Sequence, residues 1–260
     1  MLLLRSLAFQ AYFFLSVVLF AFLVIVALVL PYPVRYEIAR VWGRGMLWAG
    51  RFLCGLDYSI EGLEHLPDRP SVVLSKHSTV FETYAQLVFL PRQTWVVKRE
   101  LSWVPVFGWG LATLKPIAID RSAGGTAVAQ VIRQGLARLG EGTWVTIFPE
   151  GTRMPPGETR RYGVSGAALA REAGCPIVPI AHNAGLFWPR RSVIKRPGLI
   201  RFVIGPPIAP DGRPPKETNL LVQQWIESKM AEICPRTAAN EQDRAPNAHD
   251  HADNMHDPIQ

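Results

Sequence analysis

The central part of the chain alternates short apolar runs with stretches whose apolar residues recur at helical spacing. Six apolar runs predict strands, at residues 71–75, 94–97, 116–119, 144–148, 177–181 and 200–204. Helical spacing predicts helices at residues 126–139, 164–173 and 218–233. Strands that alternate with helices favour an α/β fold, with a largely parallel or mixed sheet flanked by helices.

A long apolar stretch precedes this region. Residues 6–34 contain no charged side chain, and a helix of about twenty residues reaches about 30 Å, enough to cross a bilayer core. A cleaved signal peptide is the alternative, but its apolar region would be shorter and would end at a small-residue site. Here Pro31-Tyr32-Pro33 follows instead. We therefore expect residues 1–34 to form a retained membrane anchor helix, which spans the bilayer or re-enters it.

The next segment mixes arginines with aromatic residues. Residues 35–58 are therefore predicted to form an amphipathic interfacial helix at the level of the lipid headgroups. The arginines Arg35, Arg40, Arg44 and Arg51 outnumber Arg5 on the other side of the apolar stretch. This bias predicts that the body of the protein lies on the cytoplasmic side of the membrane.

The charge distribution separates a basic body from an acidic tail. Residues 236–260 hold two basic and five acidic side chains, a net charge of −3, so the rest of the chain carries +10. A basic body suits an anionic membrane or a nucleic acid, and the apolar segment favours the membrane, so we expect no nucleic-acid partner. The tail is poor in apolar residues and is predicted to be disordered. The three cysteines are scattered without ligand spacing, and no metal site is predicted.

Polar residues follow five of the predicted strands. They are Lys76-His77, Lys98, Asp120-Arg121, Glu150-Gly151-Thr152-Arg153 and His182-Asn183. In open α/β sheets, ligands bind beyond the carboxyl ends of the strands. The pattern predicts that these groups converge on one site.

His77 and Glu82 allow two interpretations. A carboxylate bonded to one imidazole nitrogen would fix the tautomer and leave the other nitrogen free to take a proton. Residues 79–82 also match a capping box, in which Glu82 only satisfies a backbone donor. Residues 148–153 are similarly open. They form either a Pro/Gly turn or a site where Arg153 grips a phosphate while Glu150 holds a substrate hydroxyl or the loop itself.

Taken together, these motifs resemble those of the glycerolipid acyltransferase family. His77 with Glu82 resembles its H-x4-D/E motif, and residues 148–153 match its F-P-E-G-T-R block letter for letter. Residues 97–121 and 178–183 resemble two further motifs, and the resemblance runs from about residue 61 to residue 205. Lys76 stands where many members have Asn, and Glu82 replaces the commoner Asp.

The resemblance implies an enzyme that moves a fatty acyl group from acyl-CoA or acyl carrier protein to the free hydroxyl of 1-acyl-glycerol-3-phosphate, or lysophosphatidic acid, giving phosphatidic acid. His77 would be the general base, oriented by Glu82, and no cofactor would be needed besides the acyl donor. The implied substrate-binding residues are Lys98, Arg121, Glu150, Gly151, Thr152 and Arg153. Residues 59–235 would be the acyltransferase domain, working among membrane lipids at the cytoplasmic face of a bacterial inner membrane.

Other functions remain open. The same chemistry would serve another acceptor, such as a lyso-ornithine lipid or a different lysophospholipid. A lipid hydrolase would need an activated nucleophile, and no G-x-S-x-G pattern surrounds Ser75 or Ser78. A membrane-binding protein without activity would not need His77 and Glu82 together. Residues 188–196 are either a membrane-interface patch or a solvated loop, and the site is expected to lie outside the anchor of residues 1–34.

Overall fold

A computed structural model describes residues 1–120 and 125–234. Arg121 and the predicted disordered tail from residue 236 lie outside the described residues. The described strands are β1 (Leu56–Glu61), β2 (Val72–Ser75), β3 (Gln93–Lys98), β4 (Ile117–Ile119), β5 (Trp144–Ile147), β6 (Ile177–His182) and β7 (Gly198–Ile204). The described α-helices are α1 (Leu2–Val26), α2 (Tyr32–Cys54), α3 (Phe81–Phe89), α4 (Phe107–Thr113), α5 (Gly125–Gly140), α6 (Ser165–Ala173), α7 (Ala184–Phe187) and α8 (Pro215–Ile233).

The strands form one mixed sheet in the order β1-β7-β6-β2-β5-β3-β4. Neighbouring strands pair in parallel except β6 and β7, so β1 and β7 run against the other five. The predicted α/β class and mixed sheet are therefore confirmed, and all six predicted strands are present within two residues of the expected bounds. β1 was not predicted, because only Leu56 in it is buried and the strand carries Asp57 and Glu61.

Two apolar layers cover the faces of the sheet. Val73 of β2 points into a core built with α2 and α3, while Val72 and Leu74 point into a second core built with α6 and α8. This alternation is what a strand buried on both faces requires. Because β2 pairs in parallel with both β5 and β6, the carboxyl ends of these three strands lie together at one edge of the sheet. The candidate site lies at this edge.

The anchor and the interfacial segment form a helical hairpin that is part of the main core. α2 ends at Cys54, where Gly55 adopts a left-handed conformation with φ 66°, and residues 56–58 belong to β1 rather than to the predicted helix. Tyr36 and Met46 of α2 are fully buried. α2 is thus packed in the core along one side and exposes apolar side chains such as Trp48 and Phe52 on another.

α1 and the 3-10 turn after it are long and apolar enough to cross a membrane, the one such helix within residues 1–120 and 125–234. Most of its side chains, among them Leu15 and Phe22, are exposed, which is compatible with membrane association. Near its start, however, Phe9 is fully buried against Trp188, with ring centroids 5.7 Å apart. α1 therefore combines an exposed apolar surface with a buried contact to the segment that follows β6.

Candidate active site

His77 and Glu82 lie side by side in the turn between β2 and α3. Nδ1 of His77 is 2.8 Å from Oε1 of Glu82. Because an ionised carboxylate only accepts hydrogen bonds, Nδ1 carries a hydrogen, and in the neutral form of the ring this tautomer leaves the lone pair on Nε2. The Glu82 side chain is fully buried, whereas His77 is 15% exposed. The pair therefore combines a partly exposed proton acceptor with a buried anion.

Glu82 also caps the start of α3. Its Oε1 accepts hydrogen bonds from the backbone N–H groups of Ser78 at 2.9 Å and Thr79 at 2.8 Å, and its Oε2 accepts one from the Thr79 hydroxyl at 2.6 Å. Burial acts to raise the pKa of Glu82, but His182, His77 and Thr79 outweigh it and lower the pKa to about 2. One carboxylate therefore makes the contacts of both interpretations, since it accepts hydrogen bonds from backbone donors and from the imidazole, and the catalytic role of the pair stays a prediction.

Two aromatic rings fix the surroundings of this pair. The ring of Phe148 stacks on the imidazole of His77, with centroids 4.0 Å apart and planes inclined by 17°. The fully buried His182 donates from Nε2 to the carbonyl of Lys76 at 2.8 Å and accepts at Nδ1 from the backbone N–H of Ala184 at 3.3 Å. Burial lowers the pKa of His182. A neutral His182 thus holds the backbone just before the proton acceptor.

Glu150 serves the loop rather than facing the cavity. Its Oε1 accepts a hydrogen bond from Nζ of Lys76 at 2.7 Å, and its Oε2 accepts one from the backbone N–H of His77 at 3.0 Å. Burial raises the pKa of Glu150, against the opposing effect of the Lys76 ammonium. Of the two roles that the sequence left open for Glu150, the contacts correspond to holding the loop.

The F-P-E-G-T-R segment is a tight turn after β5. Gly151 has φ 68°, a conformation that favours glycine, and its N–H donates to the carbonyl of Phe148 at 3.0 Å. Beyond the turn, the N–H of Met154 donates to the carbonyl of His77 at 2.7 Å. Thr152 and Arg153 lie between these two fixed points and are partly exposed. The bond within the turn and the bond from Met154 to His77 therefore fix the backbone on both sides of Arg153, and the second one joins the turn to the loop between β2 and α3 (the β2–α3 loop).

A cavity of about 440 Å³ opens beside this turn. Its lining combines Thr79 and Val80 of the β2–α3 loop, Arg153, residues 188–193, and Gln10, Phe13 and Phe14 of α1. The expectation that the site lies outside residues 1–34 is therefore wrong for this cavity. The apolar sequence of α1 gave no sign that one of its faces would form a wall of the site.

The rim of the cavity is basic. Arg153, Arg190 and Arg191 line it, and its lining residues include no Asp or Glu. None of the three guanidinium groups has a carboxylate within 4.0 Å among the described residues. Arg190 instead donates to the carbonyl of Arg153 at 3.3 Å. A cluster of arginines without acidic partners is suited to an anionic ligand.

Residues 188–196 are tied to α1 by Lys195. Its side chain is buried, and Nζ donates to Oε1 of Gln10 at 2.5 Å and lies 4.7 Å from the centroid of the Trp188 ring. Its backbone N–H donates to the hydroxyl of Ser6 at 2.9 Å. The segment is thus a structured wall of the cavity, rather than the freely solvated loop that the sequence left as an alternative.

Lys98, another predicted binding residue, is not part of the cavity lining. It ends β3, is about half exposed and pairs with Glu100 at 3.3 Å. Arg121 lies outside the described residues. Its neighbour Asp120 accepts a hydrogen bond from Arg99 at 3.0 Å. Of Lys98 and Arg153, the two predicted basic binding residues that the structure describes, Arg153 lines the cavity.

Sequence reasoning missed several groups at the site. The sequence presents Phe148 only as part of a motif, indicates no role for Glu227 of α8, and predicts only an anchor for α1. It predicts that Arg190 and Arg191 belong to a membrane patch or a loop. The available signal for these two was a run of basic residues with no acidic residue between positions 183 and 210, a pattern that favours an anionic partner.

Comparison with known proteins identifies the relatives of this chain. A family model described as Acyltransferase matches residues 57–183. A 1-acyl-sn-glycerol-3-phosphate acyltransferase of Pseudomonas aeruginosa is 45% identical over 214 residues, covering 81% of this chain and 83% of the relative. The alpha form of that enzyme from Mus musculus is 27% identical over 72% of this chain and 67% of its own length. Among solved structures, the 1-acyl-sn-glycerophosphate (LPA) acyltransferase PlsC of Thermotoga maritima has the same fold, with a TM-score of 0.75, 21% identity, and coverage of 89% of this chain and 95% of that one.

Proposed function

Because this chain belongs to the acyltransferase family, we propose that it esterifies the free hydroxyl of 1-acyl-glycerol-3-phosphate and releases phosphatidic acid. The names of its relatives support this acceptor, above all the Pseudomonas aeruginosa enzyme. The observation that carries the proposal is the 2.8 Å contact between Nδ1 of His77 and the buried Glu82, next to a cavity with a basic rim. Acyl transfer to an alcohol that carries a phosphate requires a proton acceptor and a site that binds the anion.

In the proposed reaction, Nε2 of His77 accepts the proton of the acceptor hydroxyl while the oxygen attacks the thioester carbonyl carbon. A new C–O ester bond forms, and the C–S bond of the donor then breaks. The thiol leaves with the proton that His77 returns, so the side chain ends the cycle unchanged. Glu82 stays ionised throughout, since its pKa is about 2 and it stabilises the charged imidazole. No acyl-enzyme is formed.

The acceptor is proposed to lie in the cavity with its phosphate at the arginines. Arg153 would make a bidentate contact with two phosphate oxygens, and Arg190 and Arg191 would complete the anionic site. The acyl chain already on the acceptor would follow the apolar side of α1 past Phe13 and Phe14 into the lipid phase. A cavity built partly by a membrane helix suits a substrate that arrives from the bilayer.

The proposed acyl donor follows from the chemistry of the reaction, and the proposed side of the membrane follows from the distribution of arginines. Acyl-CoA and acyl carrier protein both present a thioester, and both are made in the cytoplasm of a bacterium. The excess of arginines after α1 supports a body on the cytoplasmic face of the inner membrane. Lys98 remains a candidate contact for the donor or acceptor at the same end of the sheet.

The test is an acyl-transfer assay with the full-length protein purified in detergent. Labelled acyl-CoA and acyl carrier protein are each offered with lysophosphatidic acid, other lysophospholipids, a lyso-ornithine lipid and monoacylglycerol, which lacks the phosphate. We expect lysophosphatidic acid to be acylated fastest, and monoacylglycerol to be a poor acceptor. A protein that acylates another lysolipid in preference would reject the proposed acceptor while keeping the chemistry, and a protein that transfers to none would reject both.

A further inference from the structure

A buried lysine next to the proposed base joins three separate parts of the chain. The side chain of Lys76 is 1% exposed. Its ammonium donates to Oε1 of Glu150 at 2.7 Å, to the carbonyl of Glu158 at 2.9 Å and to Oε1 of Glu227 at 3.0 Å. An ammonium has three donors, so all of them are used. A buried charge with every donor satisfied is held in one position, because any movement would leave it without a partner.

The three acceptors come from two distant parts of the chain. Glu150 and Glu158 belong to the long segment between β5 and α6, which also carries Arg153, while Glu227 belongs to α8. The hydroxyl of Tyr162 donates at 2.6 Å to the same oxygen of Glu227 that Lys76 contacts. Glu227 therefore joins α8 to the β2–α3 loop, although it lies 151 positions from Lys76 in the sequence.

The network reaches the proposed base through Glu150. One carboxylate oxygen of Glu150 accepts a hydrogen bond from the ammonium of Lys76, and the other accepts one from the backbone N–H of His77. The charges of Glu150, Glu227 and Lys76 give a net of −1, so Lys76 separates two carboxylates that would otherwise repel each other. Loss of Glu227 would leave one ammonium donor without its acceptor and would free Lys76 to shift toward the remaining ones.

We propose that Glu227, supported by Tyr162, is a positioning residue for acyl transfer, which fixes Lys76 and through it Glu150 and the backbone of His77. Neither side chain lines the cavity or contacts the His77–Glu82 pair. Their effect is on the placement of the base, so it falls on the chemical step rather than on acceptor binding. The inference rests on the proposed role of His77.

The experiment compares two changes at Glu227 with a matched change on the same helix. Glu227→Ala removes the acceptor, Glu227→Gln keeps an amide oxygen in its place, and Glu232→Ala removes an exposed glutamate that pairs with Lys229 at 2.7 Å. Misplacement of a catalytic group lowers the rate by up to about 10²-fold, so we expect kcat of Glu227→Ala to fall about 10- to 100-fold. The acceptor KM should stay within about twofold, since binding is not the step affected. Glu227→Gln should recover most of the loss, and Glu232→Ala should match wild type.

A double-mutant cycle tests the route through Lys76. If Glu227 acts on the base through Lys76, the loss of kcat in the Lys76→Met, Glu227→Ala protein is smaller than the product of the single losses. If Lys76→Met does not fold, Tyr162→Phe replaces it, because Tyr162→Phe should have no further effect once Glu227 is alanine. Losses that multiply independently would overturn the proposal, as would a wild-type kcat for Glu227→Ala.

Two controls distinguish the positioning role of Glu227 from a loss of stability and from a change in the preferred acceptor. Thermal melting of each variant measures its folded fraction, and a loss of kcat that only follows the loss of folded protein would overturn the positioning role. Kinetics are measured with the acceptor that the wild-type protein acylates fastest in the panel. A wild-type protein that prefers another acceptor therefore changes the proposed function and leaves the test of Glu227 intact.

Discussion

The imidazole of His77 lies flat on the ring of Phe148, with centroids 4.0 Å apart and planes inclined by 17°. Together with the hydrogen bond from Nδ1 to Glu82, this contact fixes both the position and the tilt of the ring. Phe148 belongs to the F-P-E-G-T-R segment, so the proposed phosphate contact and the proposed base share one structural unit. The position of the base therefore depends on a hydrophobic residue of the phosphate motif.

His77→Ala should abolish acyl transfer while the protein remains folded. A positioned general base contributes typically about 10²- to 10⁴-fold to a rate, and kcat should fall by that amount. The assay uses the fastest acceptor of the panel, and circular dichroism with vesicle binding serves as the control for folding and attachment. Wild-type turnover in this variant would disprove the mechanism.

Arg153→Ala should raise the acceptor KM, or lower kcat/KM, more than it lowers kcat. Arg153→Lys should recover only part of the loss, because a point charge cannot make the bidentate contact of a guanidinium. The measurement is a KM series with lysophosphatidic acid and with monoacylglycerol, which has no phosphate to lose. Equal kinetics for the lysine variant and wild type would show that Arg153 contributes charge alone.

The Arg190→Ala, Arg191→Ala double variant should also weaken acceptor binding. A hydrogen bond to a charged group contributes about 1.5–3 kcal/mol, so KM for lysophosphatidic acid should rise about tenfold or more. Arg213→Ala is the matched control, since Arg213 is exposed, pairs with Asp211 and lies outside the cavity. If the double variant lost vesicle binding but kept its acceptor KM, the two arginines would serve the membrane surface instead.

Glu82 should make the stability of the fold depend on acid pH. Its pKa is about 2, below the ordinary 4.5, so the stability from its ionised form is present above pH 4.5 and is lost as the pH falls toward 2. The shift corresponds to on the order of 3 kcal/mol. Melting temperatures of wild type and Glu82→Gln should therefore converge below about pH 4.5, while Glu64→Gln, a change at an exposed glutamate, should follow wild type. A constant gap between wild type and Glu82→Gln would contradict this assignment.

Deletion of residues 1–26 should abolish activity even with substrate dispersed in detergent. The deletion removes Gln10, Phe13 and Phe14 from the cavity wall and exposes the partners of Phe9 and Ser6. Burial of one phenylalanine contributes about 1.5–3 kcal/mol, so the melting temperature should fall as well. As a milder test, Phe13→Ala in the full-length protein should raise the acceptor KM and leave membrane attachment unchanged. Full activity of the truncated protein in detergent would show that α1 is only an anchor.

The residues of the candidate site that lie close together along the chain could be predicted from the sequence. His77 and Glu82 are five positions apart, and the F-P-E-G-T-R turn is six residues long, so spacing alone identifies them as candidates, while their roles come from the resemblance to the family. The six predicted strands have the same basis, since buried strands are continuous apolar runs. β1 does not follow this pattern, because most of its residues are half-buried and two of them are charged.

The contacts between distant parts of the chain could not be predicted in this way. Glu227 lies on a helix whose amphipathic pattern says which face is buried but not which side chain it meets. Gln10, Phe13 and Phe14 lie in a segment whose apolar character is fully explained by a membrane. Only the packing of α1 against residues 188–195 shows that the same helix serves the cavity. Long-range packing of this kind leaves no local pattern in a single sequence.

The pairing of Ser6 with Lys195 has a consequence for the order of events in the cell. These residues are 189 positions apart, so the start of α1 leaves the ribosome long before its partners are made. At about 5–20 residues per second, the interval is roughly 10 to 40 s. During that time α1 can enter the bilayer, while the wall of the cavity is still missing. A nascent chain therefore lacks this wall of the cavity at least until Lys195 has been translated, which gives α1 time to reach the bilayer before the cavity is complete.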